Sequence, residues 1–491
     1  MIAGTLVPLL MYADDVVMLA GSQRELHAMM AVATEFARKN RFQFNGKKSG
    51  VMVFNAPTAV RATAVAAKWE LFGEAVKVTD EYTYLGTVAC TDDADWNRHV
   101  REVIKRAEQR SDDLLWMCHY DRGMRPRTAI TLWQSLVRPV LEYASEIWSG
   151  QISQSLVDAA EAVQTRFIRG TLGLHANGSG VSNEMLRAEV GCERIQDRWT
   201  KLKLGYWRRV FSAPPTRLLR VVATFRHRER VAGAGGLGSR GWMRTAETAF
   251  ARCGMQDQWQ DTGACTTMDV DAWKTKVCDA VDSHSDNCRI TRMNTMSAAS
   301  DYLGIKDWGR NTEPYSFSSG EIDRIGQHVP ERYLDDRTNL KGTRLKALCR
   351  LACLPVMDRV GREARTHGKA CPWPKAERVC FACGTNQVED VKHFVLACPL
   401  YTGPRARLLN RIASVLLKST GQLAADAFNN LDDQSKLHVV LGKRIGDAAT
   451  EDFIDRAVKK FLAKCWTARQ GITDTIHTIM ETNYGVYKQL K

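Results

Sequence analysis

The sequence predicts an α+β chain, in which antiparallel β hairpins with a helix open the molecule and a mainly α-helical remainder follows. Three observations lead there. Apolar β-formers flank two adjacent carboxylates between Leu9 and Ala20, apolar residues recur at helical spacing from about Asp95 onward, and three cysteines gather around a histidine between Cys380 and Cys398. At 491 residues the chain exceeds one ordinary core and suggests about three domains. Apolar residues make up 44%, enough to exclude a disordered chain. The net charge of +14 points to a polyanionic partner, nucleic acid first, with an anionic membrane surface as the rival. No apolar run of spanning length is free of charge, and Met1 to Leu10 lacks the basic start of a signal peptide, so no membrane segment is expected. The fourteen cysteines are mostly single, as in reduced intracellular thiols.

Leu9-Leu10-Met11-Tyr12-Ala13-Asp14-Asp15-Val16-Val17-Met18 reads as two strands meeting at a tight bend. Paired carboxylates on a rigid hairpin suit a hard divalent cation such as Mg²⁺, and a solvated turn is the bland alternative. Ser22 with Glu25 forms a capping box opening a helix whose Leu26, Met29, Met30, Ala33 and Ala37 face a core. Arg41 to Asn45 and Val51 to Asn55 alternate like strands around an exposed loop carrying Lys47 and Lys48. Val76 to Val78 and Tyr82-Thr83-Tyr84-Leu85-Gly86 read as another hairpin or strand pair.

From Asp95 the pattern turns helical, with Val100, Val103, Ile104, Ala107, Leu114 and Leu115 on one side and Arg98, Arg101, Lys105, Arg106 and Arg110 on others. Thr128 to Trp148 is a helix broken or kinked at Pro139, and Leu156 to Ile168 the next. Linkers fall near Ala213 to Pro215 and at Val231 to Gly241. The middle region carries no chemical motif, and its Trp259, Trp273 and Trp308 read as core or interface anchors. Between Lys341 and Cys380 ten Lys plus Arg oppose three Asp plus Glu. A phosphate footprint is expected there, on Arg344, Lys346, Arg350, Arg359, Arg362 and Arg365.

Cys380, Cys383, His393 and Cys398 follow the spacing C-x2-C-x9-H-x4-C. Zinc takes four N or S ligands in a tetrahedron, and a full ligand set leaves no open position, so a structural Zn²⁺ is expected. Cys371 is a substitute ligand in the same stretch. A last helix, capped near Thr450 and running through Ile454, Val458, Phe461, Leu462 and Cys465, is expected to dock on this module.

Tyr12-Ala13-Asp14-Asp15 in its apolar frame resembles the palm hairpin of reverse transcriptases. Leu132-Trp133-Gln134-Ser135-Leu136-Val137-Arg138-Pro139, the Gln164 to Arg169 run and the Cys-Cys-His-Cys module with Pro399-Leu400-Tyr401 are similar to the thumb and C-terminal region of non-LTR retrotransposon reverse transcriptases. The resemblance implies a partial palm with primer grip at 1–94, a helical thumb at 95–212, a linker region at 213–340, a basic segment and zinc module at 341–403 and a helical end at 404–491. It implies an RNA-directed DNA polymerase acting on an RNA template and a DNA target or primer, found in nucleus and cytoplasm. Asp14 and Asp15 would be catalytic Mg²⁺ ligands, and Tyr12, Lys47, Lys48, Tyr84, Leu85 and Gly86 would meet substrate. The family also uses an Asp from an earlier palm strand, and only eleven residues precede Tyr12. Asp92, Asp93 and Asp95 read better as helix-capping residues than as its substitute. The chain alone is therefore expected not to polymerise, and a non-catalytic RNA- or DNA-binding protein is the alternative.

Overall fold

The computed structural model describes residues 7–91, 96–118, 123–174, 181–233, 241–296, 299–306, 330–363, 365–366 and 369–489, with only the backbone described at 365–366, 369–370 and 473–489. Asp92, Asp93, Asp95 and Trp308 lie outside the described residues, as does the side chain of Arg365. The described chain is mostly helical, with five separate two-stranded sheets, an α+β composition. It divides into two compact units, 1–106 with 140–160 and 195–284, and 107–139 with 161–194 and 285–491. No helix among the described residues is long and apolar enough to cross a membrane.

In the first unit, strands Leu9–Tyr12 and Asp15–Met18 pair antiparallel, with Tyr12 opposite Asp15. Ser22 caps helix Gln23–Lys39 by accepting from the Glu25 amide, and the Glu25 carboxylate accepts from Gly21 N. Met30 of that helix packs with Val51, Trp69, Leu71 and Val76, and Met18 of the ribbon leans on the same small core. The strands expected around Lys47 and Lys48 are mostly absent. Asn45 instead accepts from Lys48 N at 3.0 Å and opens a short 3-10 turn, Gly46–Lys48, leaving Gly50–Val51 as the only strand of that stretch among the described residues. A side chain that satisfies nearby amides competes directly with a sheet ladder. Gly50–Val51 pairs in parallel with Lys77–Val78, whereas Glu81–Tyr84 pairs with Thr87–Cys90. Val78 and Tyr82 thus belong to two different pairings.

Helix Asn97–Cys118 buries Val100, Val103, Ile104, Ala107 and Leu114 and exposes Arg98, Arg101, Lys105, Arg106 and Arg110, as the periodicity requires. Thr128 to Trp148 resolves into Pro126–Leu136, Arg138–Glu142 and Ser145–Trp148. The break falls before Pro139 rather than on it, because proline is tolerated in a first helical turn where its missing N–H has no partner to lose. The middle region, obscure in sequence, packs helices Ile195–Phe211, Leu218–Val231, Trp242–Arg252 and Val270–Asn294 into an aromatic core. Trp207 stands at its centre, with the Phe211, Trp259, Phe250 and Trp242 rings 4.4 to 5.7 Å away. Trp259 and Trp273 are buried there, as core anchors.

The second unit packs helices Leu340–Arg350, Thr402–Thr420 and Asp433–Leu441 against the long helix Ala448–Gln489, and Gln422–Asn429 against Thr402–Thr420. Asp447 opens that last helix by accepting from Thr450 N at 2.8 Å.

Candidate metal centre and acidic hairpin

Cys380, Cys383, His393 and Cys398 converge, with all four potential ligand atoms within 4.8 Å of one another. Sulfurs on a tetrahedral zinc lie ~3.8 Å apart at ordinary Zn–S lengths, so the spacing suits such an ion. Three local devices bring them together. Val379 bridges Val388, and Cys380 N donates to Gln387 O at 2.8 Å, closing a small loop around Cys383. Gly384 and Asn386 take the left-handed conformations that reverse the chain, φ 66° and 55°. Residues His393–Ala397 then form a π-turn, and Cys398 N donates to His393 O at 2.7 Å, which returns Cys398 to the histidine.

His393 is oriented from both sides. Asp390 accepts from its backbone amide at 2.7 Å, and the Gln387 amide oxygen lies 3.1 Å from Nδ1. A proton on Nδ1 satisfies that contact and leaves Nε2, 3.5 Å from the Cys383 sulfur, as the ligand atom. Burial holds the His393 imidazole below its usual pKa, favouring the neutral form that binds metal. Burial also pushes the Cys380 and Cys398 thiols up. At Cys383 burial acts in the same direction but is outweighed by the Thr385 hydroxyl and amide and the neighbouring thiols, so its pKa falls. A cation among them deprotonates such thiols outright.

The surrounding shell was not legible in the motif. Glu389 lies beside Cys380, its Oε1 3.8 Å from the sulfur, and takes both arms of Arg469 at 2.7 Å. It also accepts from Met357 N at 2.8 Å. The Arg469 guanidinium sits 4.8 Å from the Phe381 ring centre and 5.0 Å from that of Trp466, while Phe394 meets Trp466 and Tyr401 edge-on. The last helix therefore docks on the Cys/His module, as expected, through a buried ion pair and three aromatic rings. Among the described residues no other such group of three or more His, Cys, Asp or Glu side chains appears, and the exposed Cys371 is not part of this one.

Asp14 and Asp15 sit where the ribbon turns, with Ala13 in the left-handed region at φ 53°. Tyr12, Asp14 and Asp15 are exposed. Among the described residues no third carboxylate joins the two aspartates in a cluster. Lys47 and Lys48 lie in the exposed part of the 3-10 turn, held by the Tyr82 hydroxyl donating to Lys48 O at 2.5 Å. Tyr84 ends its strand, and Leu85 and Gly86, at φ 47° and 74°, make the two-residue turn to Thr87. The Tyr143 hydroxyl donates to Leu85 O at 2.7 Å, and a Cβ on Gly86 would meet its ring at 3.1 Å.

The expected phosphate footprint is corrected at two of its residues. Arg350 is buried and binds Glu189 at 2.7 Å, Glu331 at 3.0 Å and Leu441 O at 2.7 Å. Burial alone would lift the Glu189 carboxyl, but Arg350 and Lys306 offset it and hold the pKa down. Lys346 is buried on Asp455 at 2.6 Å. These two cations are engaged by interior carboxylates. Arg344 is half-buried and donates to Gly173 O at 2.8 Å, Arg359 pairs with Glu363 at 2.5 Å, and Arg362 is exposed and pairs with Asp358 at 2.9 Å.

No model of a protein family, no curated protein and no solved structure matches this chain.

Proposed function

We propose that this chain carries the palm hairpin, primer grip, thumb and zinc module of a non-LTR retrotransposon reverse transcriptase, and that its present chemistry is nucleic-acid binding. The observation that carries the reading is the ribbon itself: two aspartates at the turn of an antiparallel hairpin, the position the Tyr-Ala-Asp-Asp resemblance calls for. The two-residue turn at Leu85-Gly86 and the basic outward face of helix Asn97–Cys118 lend it further support. Two-metal nucleotidyl transfer stabilises both the attacking and the leaving oxygen, and it needs more carboxylates than Asp14 and Asp15 supply. In this reading Cys380, Cys383, His393 and Cys398 hold one structural Zn²⁺, since four protein ligands fill the tetrahedron and leave no place for substrate.

Primer extension on an RNA template with Mg²⁺ or Mn²⁺ tests the catalytic half of the reading. No dNTP incorporation is expected, and incorporation that Asp14→Ala abolishes would show a complete polymerase site. The reading of a non-catalytic RNA- or DNA-binding protein is favoured by the absence of a third carboxylate at the ribbon among the described residues. It requires affinity for an RNA–DNA hybrid that falls steeply with salt, and a flat salt response removes it.

A further inference from the structure

A strongly positive stretch that reaches solvent lies outside the 341–380 segment. Between Arg208 and Arg252 ten Lys plus Arg oppose two Asp plus Glu, a net of +8, and all ten cations are arginine. Helices Leu218–Val231 and Trp242–Arg252 pack on each other there and are tied by Arg230 to Glu247 at 2.6 Å. Arg226 takes Glu229 at 3.2 Å, so both carboxylates of the stretch are engaged. Arg217, Arg228, Arg244 and Arg252 are exposed and pair with no carboxylate among the described residues.

Helix periodicity explains their position. Met243, Ala246, Ala249 and Phe250 fill the inward side of the second helix, so Arg244 and Arg252, two turns apart, stand on its outward side. On the first helix Ala223 and His227 are buried, and Arg217 and Arg228, about three turns apart, share a side turned away from them. The aromatic core beneath holds both helices, with Trp242 stacked on Trp207 at 5.7 Å and His227 5.6 Å from the same ring.

We propose that this helix pair is a docking surface for the phosphate backbone of a nucleic acid. The absence of lysine from the stretch favours that partner, because a guanidinium is a planar fork that grips two phosphate oxygens at once. A patch serving only to approach an anionic membrane needs positive charge and would be equally served by lysine. Arginines whose backbone is already held by a packed helix pair also lose less freedom on binding than those of a floppy tail. The surface is independent of Asp14 and Asp15 but rests on the nucleic-acid-binding reading. A flat salt response of the wild-type chain removes that reading, whereas an unchanged slope in a variant without these four arginines removes this surface alone.

The test uses the full chain carrying Arg217→Gln, Arg228→Gln, Arg244→Gln and Arg252→Gln, titrated with an RNA–DNA hybrid between about 50 and 200 mM salt. Each phosphate contact contributes roughly 0.9 to the slope of log affinity against log salt, so losing four flattens it by ~3.6. The fall in affinity across that salt range then shrinks by roughly 100-fold. Unchanged far-UV circular dichroism and metal content establish that the variant is folded. Wild-type affinity and slope in the variant overturn the proposal. So does a variant that binds the hybrid normally but no longer binds phosphatidylserine vesicles, which would identify a membrane surface instead.

Discussion

Lys203 offers the sharpest energetic test of the aromatic core that supports the arginine-bearing helices. It is 2% exposed, and among the described residues its ammonium reaches only Thr245 Oγ1 at 3.0 Å and Ile147 O at 3.5 Å, 5.9 Å from the Trp242 ring centre. Burial pushes its pKa down from 10.5 to about 7, with Glu146 pulling weakly the other way. Above pH 10.5 the folded and unfolded chains both carry a neutral amine, and the residue costs nothing. As the pH falls towards 7 the unfolded chain takes up a proton that the folded chain refuses, and stability drops by about 1.4 kcal/mol per unit. At pH 7, where the folded amine is half protonated, the accumulated penalty is about 4 kcal/mol. Lys203→Met keeps most of the volume, removes that penalty and forfeits about 1 kcal/mol of hydrogen bonding. The variant should be about 3 kcal/mol more stable than wild type at pH 7, with most of that advantage gone by pH 10. Urea unfolding of both proteins across this range, followed by tryptophan fluorescence, measures the difference and cancels other titrating groups. A variant less stable than wild type at pH 7, or a difference that does not change with pH, would refute the reasoning.

The metal centre makes two further predictions. Elemental analysis should find about one zinc per chain, and Cys380→Ser or His393→Ala should lose it, with hydrogen exchange accelerating around 380–400, because binding energy at such a site is folding energy. Arg469→Met should strand the Glu389 carboxylate beside Cys380 and lower stability by about 3 to 5 kcal/mol, whereas Arg469→Met with Glu389→Gln should recover a large part of it. Chemical denaturation of the single and double variants checks this, and equal losses in both would mean that the pair contributes only through packing.

Much of the candidate site was readable because its determinants are local. The hairpin at Asp14 and Asp15 follows from β-formers on either side of a turn within ten residues, and the helix after Ser22 from a cap three positions wide. Cys380, Cys383, His393 and Cys398 span nineteen residues, so their spacing already restricts how the chain can close. Where a local rule met a competitor, the sequence reading slipped. Asn45 drew the backbone into a turn where alternation suggested a strand.

Only the tertiary structure decided which charges face water. The run from Lys341 to Cys380 looked like a phosphate footprint, yet Arg350 meets Glu189 and Glu331, and Lys346 meets Asp455 about a hundred residues later. Arg217, Arg228, Arg244 and Arg252 drew no notice in the sequence and stand exposed without such partners among the described residues. Composition counts cations but cannot say where the opposing carboxylates will fold, and a buried cation is costly unless one arrives to neutralise it. The amino-acid order alone determined the acidic turn, the four Cys and His side chains of the candidate metal centre and the inward faces of helices Gln23–Lys39 and Asn97–Cys118. Long-range pairing, which no local spacing encodes, determined which of the basic residues remain available to a partner.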